Sequence, residues 1–419
     1  MTTPGPAFDA LERAALLPIA LETMHVGHLI DRALMPAVAI ATRNVDSVDD
    51  VAIDEWMGAS PVYTSRMRRL MGIEGDGVDA IMKALQLDVG FPHQYMDVAW
   101  KLVDAHHGEF WLLHCGALMD TERHGEKRVI GMCHKIEDPT FDATAYATNP
   151  RARIRPIHRP PRVPADRVPH CHWTIEIDAA NEPVGPATHT RAVAGLPIAT
   201  LANERAPERA PEGLCDYRGD FAPRFRLGDL STATLAAVAR EFQIQVHLLA
   251  SSAELALAAR LGVEKARAIL AQQWIAVAWV AGQRLARALG VAGGGAPAVA
   301  AALRLHAALP PGFARHVEAD GERVRVVLAP ASPELLDPEQ PGWVGLLARG
   351  VARGVEAAAQ AVDPRARLLG LATQGGRIAC ELSVDPAAGP AEAPREAAFM
   401  RLSTATGWVF DLGEARLGR

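Results

Sequence analysis

Histidine and cysteine, the side chains that most often bind metals or exchange protons near neutral pH, are concentrated in the first half of this chain. Twelve of the 15 histidines precede residue 191. Three of the five cysteines, Cys115, Cys133 and Cys171, each adjoin a histidine in the same region. This asymmetry predicts that histidine- or cysteine-based chemistry is located in the N-terminal half.

The sequence His170-Cys171-His172 has the spacing of a metal site on a strand. Alternation along a strand would place His170 and His172 on one face and Cys171 on the other. With His114 from an earlier strand, the pair predicts a site for a divalent transition metal such as Zn, Fe or Mn. The alternatives are a hydrogen-bonded, solvent-facing histidine pair and a Cys171 that is simply buried.

A second candidate group lies in the segment GMCHKIED. On a helix, Cys133 and Glu137 are neighbours one turn apart, as are His134 and Asp138. A carboxylate there can orient a histidine as a base or a ligand. Cys133 is a candidate nucleophile with His134 or His172 as its base. A helix-surface pair and a buried structural cysteine are the alternatives.

Positive charge follows in residues 151–167, which contain six arginines. Arg155 and Arg159 are candidates for binding a substrate carboxylate or phosphate, because guanidinium groups bind both in a bidentate manner. A solvated loop is the alternative. Further upstream, His25 and His28 share a helix face, and with Glu55 they form a candidate helix-pair site that the sequence leaves undecided.

An internal repeat organises the whole chain. At an offset of 218, residues 56–92 align without a gap over 274–310, with 12 identities in 37 positions that include Trp56/Trp274, Arg66/Arg284 and Gly75/Gly293. Residues 149–153 align over 363–367. We therefore predict a site-bearing unit at 1–180, a linker at 181–227, a homologous unit at 228–390 and a C-terminal tail at 391–419.

Each repeat shows the same order of elements. Apolar periodicity predicts helices at 11–36, 50–72 and 77–106 in the first unit and at 231–260, 262–290 and 296–309 in the second. A strand follows (109–117; 322–329), then a helix (127–147; 342–361), then two strands (151–157 and 170–177; 366–372 and 377–384). The predicted fold class is α+β, with helices packed on a small antiparallel sheet in each unit and the units arranged as a pseudo-twofold pair.

The second copy serves as a control for the first. His114 aligns over Val327, and Cys133-His134 aligns over Leu347-Ala348. The 170–172 motif aligns over Arg377-Ile378-Ala379. Residues shared by both copies are expected to build the fold, whereas the losses in unit two indicate that unit one carries the site.

Composition excludes several functional classes. The chain of 419 residues has a net charge of −6, which argues against a nucleic-acid partner. No apolar run is long enough for a membrane span, and no nucleotide-binding motif is present. The N-terminus lacks the features of a secretory signal, and the odd cysteine count is typical of a reducing compartment, so a cytoplasmic location is expected.

The order of unit one resembles a known family. Cys133 in GMCHKIEDPTF and Cys171 in HCHWTIEI, with Arg153 between them, are similar to the L-2-amino-thiazoline-4-carboxylic acid hydrolase-like proteins and, more distantly, to 4-vinyl-reductase-type ligand-binding domains. The resemblance covers about residues 100–178. It implies a small-molecule pocket between helices and sheet, with ring-opening hydrolysis as one chemistry.

Two functional hypotheses follow. The first is a hydrolase or lyase that acts on a small anionic substrate, with a metal-bound water or Cys133 as the nucleophile. The second is a non-catalytic small-molecule-binding or metal- or redox-sensing protein with the same pocket. A homodimer is a candidate assembly in either case.

Overall fold

The computed structural model describes residues 6–44, 46–291 and 294–401, so Gly293 and residues 402–419 of the predicted tail lie outside the described residues. Within the described part, two separate four-stranded antiparallel sheets are each associated with helices. The prediction of an α+β fold with two similar units is confirmed.

Unit one begins with two long helices and then alternates short helices with its strands. Its elements are α1 (Arg13–Thr42), α2 (Asp46–Met71), α3 (Val78–Leu85), β1 (Met96–Leu102), β2 (His107–Cys115), α4 (Gly116–Glu122), α5 (Glu126–Ile130), a π-helical turn (Gly131–Ile136), α6 (Glu137–Tyr146), β3 (Ala152–His158) and β4 (Cys171–Ile177).

Unit two repeats this order after a connecting segment that contains α7 (Thr188–Ala194). Its elements are α8 (Thr232–Leu261), α9 (Val263–Leu289), α10 (Gly295–Leu305), β5 (Phe313–Asp320), β6 (Arg323–Pro330), α11 (Trp343–Ala348), α12 (Arg353–Gln360), β7 (Ala366–Gln374) and β8 (Arg377–Val384), followed by α13 (Ala397–Arg401). Ser231 caps the N-terminus of α8, because its side chain accepts a hydrogen bond from the Thr234 N–H.

The two sheets have the same topology. Their strand orders are β1-β2-β4-β3 and β5-β6-β8-β7, with every neighbouring pair antiparallel. In the first sheet, Phe110 of β2 lies opposite Trp173 of β4, and Leu112 lies opposite Cys171. These four inward-facing side chains are buried, so one face of the sheet forms a core beneath the helices.

The units pack through their long helices in a reciprocal manner. Helix α1 packs along α9, and α2 packs along α8, where α8 and α9 are the counterparts of α1 and α2 at the repeat offset. Leu29, Val38, Leu248 and Val277 belong to one continuous hydrophobic cluster that draws on all these helices. Reciprocal contacts of this kind are what a pseudo-twofold arrangement produces.

Two predictions of secondary structure are corrected. Residues 77–106 are not one helix, because α3 ends at Leu85 and β1 follows. In β1, the buried Val98 and Trp100 alternate with less buried residues, the pattern of a strand rather than a helix. The equivalent strand β5 is also absent from the prediction, so each sheet has four strands rather than three. His106 and His107 accordingly lie at the β1–β2 turn, not at a helix end.

The segments predicted as a linker and a tail are more structured than expected. Helix α7 packs on α2, and Tyr217 and Phe225 are buried with stacked rings. Helix α13 packs against α1 and α9. None of the helices in the part of the chain that is described is long and apolar enough to cross a membrane.

Candidate functional site

A cavity of about 450 Å³ opens inside unit one, between α1, α2, the inner face of the first sheet and the helical segment 116–146. Its walls are mostly apolar, with aromatic rings on the sheet side. Phe141 and Trp173 meet edge to face at 5.0 Å between ring centroids, and Phe91 stacks on Phe141 at 6.0 Å. Ile40 lines the cavity and is 64% exposed, so it marks the opening. Cavities of this size and character bind small organic molecules.

Arg32 supplies a positive charge to this cavity. It projects from α1, and its Nε is buried without a hydrogen-bond partner. Burial lowers its pKa, but Tyr95, Asp120 and Asp31 more than offset this effect, so the pKa lies above its ordinary value. No ion pair or hydrogen bond to its guanidinium is formed within residues 6–44, 46–291 and 294–401. The buried Nε of Arg32 lacks an acceptor, and an anion in the cavity would supply one.

Two acidic residues of the cavity, Asp31 and Asp88, have protein partners. The indole N–H of Trp56 donates to Asp31 at 3.2 Å, and burial raises the pKa of Asp31 to about 6. Asp88 accepts hydrogen bonds from the Tyr63 hydroxyl at 3.0 Å and from the Gly90 N–H at 2.7 Å. Burial raises the pKa of Asp88 to about 7. These carboxyl groups are therefore held by the protein and do not need a ligand to satisfy them.

The predicted residue Glu137 faces the cavity, where the helical segment changes its winding. The π-helical turn ends at Ile136, and α6 begins at Glu137. Such turns shift the following side chains around the helix axis and recur at functional sites. The Oε2 atom of Glu137 is buried without a partner, and burial raises its pKa to about 8. At neutral pH this side chain is a neutral carboxylic acid that can donate a proton or a hydrogen bond.

The cysteines have a different arrangement from the predicted one. Cys115 and Cys171 line the cavity, whereas Cys133 is buried beside them and is not among the lining residues. Burial raises the pKa of Cys115 to about 12 and places the pKa of Cys133 and Cys171 well above the ordinary thiol value. A thiol that stays protonated is a poor nucleophile, so this environment does not activate Cys133.

The remaining predicted catalytic and binding residues lie outside the cavity and contact other groups of the protein. His134 Nε2 lies 2.6 Å from the Pro160 carbonyl oxygen. Asp138 accepts a hydrogen bond from Arg159 at 2.6 Å. Arg155 forms a bidentate pair with Asp142, with both N–O distances 2.7 Å. Both predicted substrate-binding guanidinium groups are thus already paired with carboxylates of the chain.

Two of the three predicted metal ligands contact protein groups through a ring nitrogen. His170 Nδ1 accepts a hydrogen bond from the Cys115 N–H at 3.1 Å, and His172 Nε2 lies 2.9 Å from Glu109 Oε2. The rings of His114 and His170 are 5.2 Å apart. Among the residues that the structure describes, no three His, Cys, Asp or Glu side chains form a candidate metal-binding group. A bound metal therefore stays a prediction from the sequence.

Of the three residues of the candidate helix-pair site, His25, His28 and Glu55, only His28 lines the cavity. Its Nε2 lies 2.9 Å from the Gly90 carbonyl oxygen. His25 and Glu55 are buried behind it, and the ring nitrogens and carboxylate oxygens of these two side chains have no hydrogen-bond partner. Burial keeps the pKa of Glu55 well above its ordinary value.

Unit two lacks the polar groups that α1 supplies to this cavity. The counterparts of His28, Asp31 and Arg32 are Val246, Leu249 and Ala250, and Gln273 takes the place of the buried Glu55. Trp274, the counterpart of Trp56, is buried and stacks on Trp343, with 6.4 Å between ring centroids. The buried Trp343 indole donates to Gln273 at 3.1 Å. Space that is open beside Trp56 in unit one is therefore occupied beside Trp274.

Comparisons with protein-family models, with curated proteins and with solved structures each found no match to this chain.

Arg32 is the residue that our sequence reasoning missed. A signal was present, because the repeat offset of 218 places Arg32 over Ala250. Its importance depends on the cavity, however, and helix periodicity alone does not show that a cationic side chain lies inside the fold rather than on its surface.

Proposed function

We propose that unit one binds a small organic anion, with an apolar body against the aromatic wall and a carboxylate or similar group at Arg32. The observation that carries this proposal is the buried Nε of Arg32, which has no hydrogen-bond partner in an otherwise mostly apolar cavity. Its replacement by Ala250 in unit two supports a role that the fold itself does not require.

Titration calorimetry with matched anionic and neutral probes tests this proposal. Naphthoate and dodecanoate would be compared with naphthamide and dodecanamide, which have similar shapes but no charge. We expect Arg32→Met to weaken carboxylate binding by about 10- to 100-fold, the range for a charged hydrogen bond, and to leave amide binding unchanged. Arg155→Met, which removes a guanidinium outside the cavity, is the matched control.

Two results would overturn the proposal. One is tighter binding of the amides than of the carboxylates by the unaltered protein. The other is carboxylate binding by Arg32→Met that equals that of the parent chain.

A second candidate function is the conversion of this ligand by a hydrolase or lyase reaction. The observation that favours it is the neutral Glu137 carboxyl group, which is placed in the cavity as a general acid would be. Mass spectrometry of a ligand incubated with the protein would separate the two functions. Consumption that Glu137→Gln abolishes indicates catalysis, whereas quantitative recovery of the bound ligand indicates binding alone.

A divalent metal at His114, His170 and His172, a homodimer and a cytoplasmic location stay predictions. Metal analysis of the purified chain, compared with His170→Ala/His172→Ala, tests the first of these. Less than one equivalent of metal in the parent protein would count against it.

A further inference from the structure

Some polar groups that line the unit-one cavity have hydrogen-bond or ion-pair partners within the protein, and others do not. Thr121, Thr140 and Thr144 donate their hydroxyl protons to backbone carbonyl groups one helical turn earlier. Arg128 pairs with Asp49 at 2.6 Å, and Cys115 Sγ accepts the Leu118 N–H. The hydrogen bonds and the ion pair of these groups are therefore already made within the protein.

Three side chains that line the cavity have a buried atom without a hydrogen-bond partner, and these atoms are His28 Nδ1, Arg32 Nε and Glu137 Oε2. His28 contacts the Gly90 carbonyl oxygen through its other ring nitrogen, whereas the side chains of Arg32 and Glu137 form no hydrogen bond in the described part of the chain. They belong to different elements, α1 and the start of α6. The pKa of Cys115 is affected by both, since Glu137 raises it and Arg32 lowers it. Arg32 and Glu137 thus line the same cavity from two different elements.

We infer that the ligand carries two polar groups of different kinds: an anion that contacts Arg32 and, beyond its apolar body, a carbonyl oxygen that accepts a hydrogen bond from Glu137. This inference rests on the proposed function. The ligand class is thus a keto acid or another carbonyl-bearing carboxylic acid, rather than a simple fatty acid or an amino acid.

The choice of a carbonyl follows from the surroundings of Glu137. A neutral carboxylic acid offers one O–H donor, and a carbonyl oxygen accepts it without placing a second charge against the apolar walls of the cavity. An ammonium group would instead require the ionised carboxylate, which burial disfavours at this position. The apolar walls between the two polar groups match a ring or hydrocarbon body.

The experiment uses pairs of para-substituted acids in which an acetyl group is replaced by an isopropyl group of similar shape. Benzoates, cinnamates and biphenylcarboxylates carrying these groups cover a range of distances between the carboxylate and the carbonyl. Binding to the full chain is measured by calorimetry at neutral pH. We expect at least one acetyl acid to bind about tenfold more tightly than its isopropyl partner, the value of one added hydrogen bond.

Variants at Glu137 test whether this preference arises there. Glu137→Leu should remove the preference for acetyl, whereas Glu137→Gln should retain part of it because the amide N–H still donates. Glu126→Gln, at an exposed position before the π-helical turn, is the matched control. In the parent protein the preference should decline above pH 8, as Glu137 ionises.

The outcomes separate this inference from the proposed function. Equal binding of both members of every pair, with carboxylate binding still dependent on Arg32, would overturn the inference and leave the proposed function intact. Tightest binding by an aminomethyl analogue would also overturn it, because that result requires an ionised Glu137. Loss of the dependence on Arg32 would instead contradict the proposed function.

Discussion

Arg66 of α2 forms a buried bidentate ion pair with Glu241 of α8, with Nε–Oε1 and Nη2–Oε2 distances of 2.6 and 3.0 Å. The side chains are 6% and 1% exposed, respectively. Arg284, the counterpart of Arg66, likewise makes a two-point contact with Glu22 of α1. Each unit thus supplies an arginine to the first helix of the other, which explains why this arginine is retained in both copies.

Removal of one partner from the Arg66–Glu241 pair should be strongly destabilising. Arg66→Met leaves the Glu241 carboxylate buried without its cation, and we expect the free energy of unfolding to fall by about 3–5 kcal/mol. The double variant Arg66→Met/Glu241→Leu leaves no unpaired charge and should recover most of that loss. Urea denaturation measures both values. A double variant no more stable than Arg66→Met would contradict this account.

We expect the same substitution to reduce the free energy of unfolding by different amounts in the two units. Trp274→Ala removes a 1%-exposed side chain that packs against Trp343 and should cost about 3–5 kcal/mol of stability. Trp56→Ala, at the equivalent position, enlarges a cavity that already exists and should cost clearly less. Chemical denaturation of the two variants makes the comparison. Equal losses would indicate that the unit-one cavity is filled in solution.

Sequence periodicity and the repeat together predicted most of the fold. Long helices such as α8 and α9 were placed within about two residues, because 3.6-residue apolar periodicity over many turns is a strong signal. The short strands β1 and β5 were missed, because each follows a helix and its alternation covers only a few residues.

The candidate site was predicted less well for a physical reason. Glu137 was identified from its spacing, but Arg155 and Arg159 are paired with Asp142 and Asp138, and such pairing depends on which elements meet in space. Reactive residue types that occur in unit one and are replaced in unit two indicate which part of the chain carries a site. They do not show which charges the fold leaves unpaired, and that property distinguishes Arg32.

Thiol reactivity offers a direct test of the cysteine environments. Cys215 is partly exposed, whereas the other four cysteines are buried. Burial raises the pKa of the thiols of Cys115 and Cys380 to about 12. Iodoacetamide at neutral pH should therefore label Cys215 first in the folded protein and all five cysteines after unfolding. Mass spectrometry of peptides identifies the labelled thiol.

Cys215→Ser is the control for this labelling experiment, and it should remove the fast phase entirely. Rapid modification of Cys133 in either protein would contradict the buried environment of that thiol. It would also favour the original hypothesis that Cys133 acts as a nucleophile.

Glu137 should make stability depend on pH in a defined direction. Burial raises its pKa in the folded protein from 4.5 to about 8, so the folded state retains a proton that the unfolded chain releases at lower pH. Stability contributed by this group is fully present below the unfolded pKa and is lost as pH rises toward 8. Glu137→Gln cannot titrate, so the parent protein should lose stability relative to this variant over that interval.

The expected loss is on the order of 2 kcal/mol after allowance for partial solvation of the cavity. Denaturation of both proteins in a series of buffers from pH 5 to about pH 9 measures the difference. Asp31 and Asp88, whose pKa values are also raised, titrate in both proteins and largely cancel in that comparison. A difference that stays constant, or that changes in favour of the parent as pH rises, would mean that Glu137 is ionised in the folded protein and cannot serve as the hydrogen-bond donor.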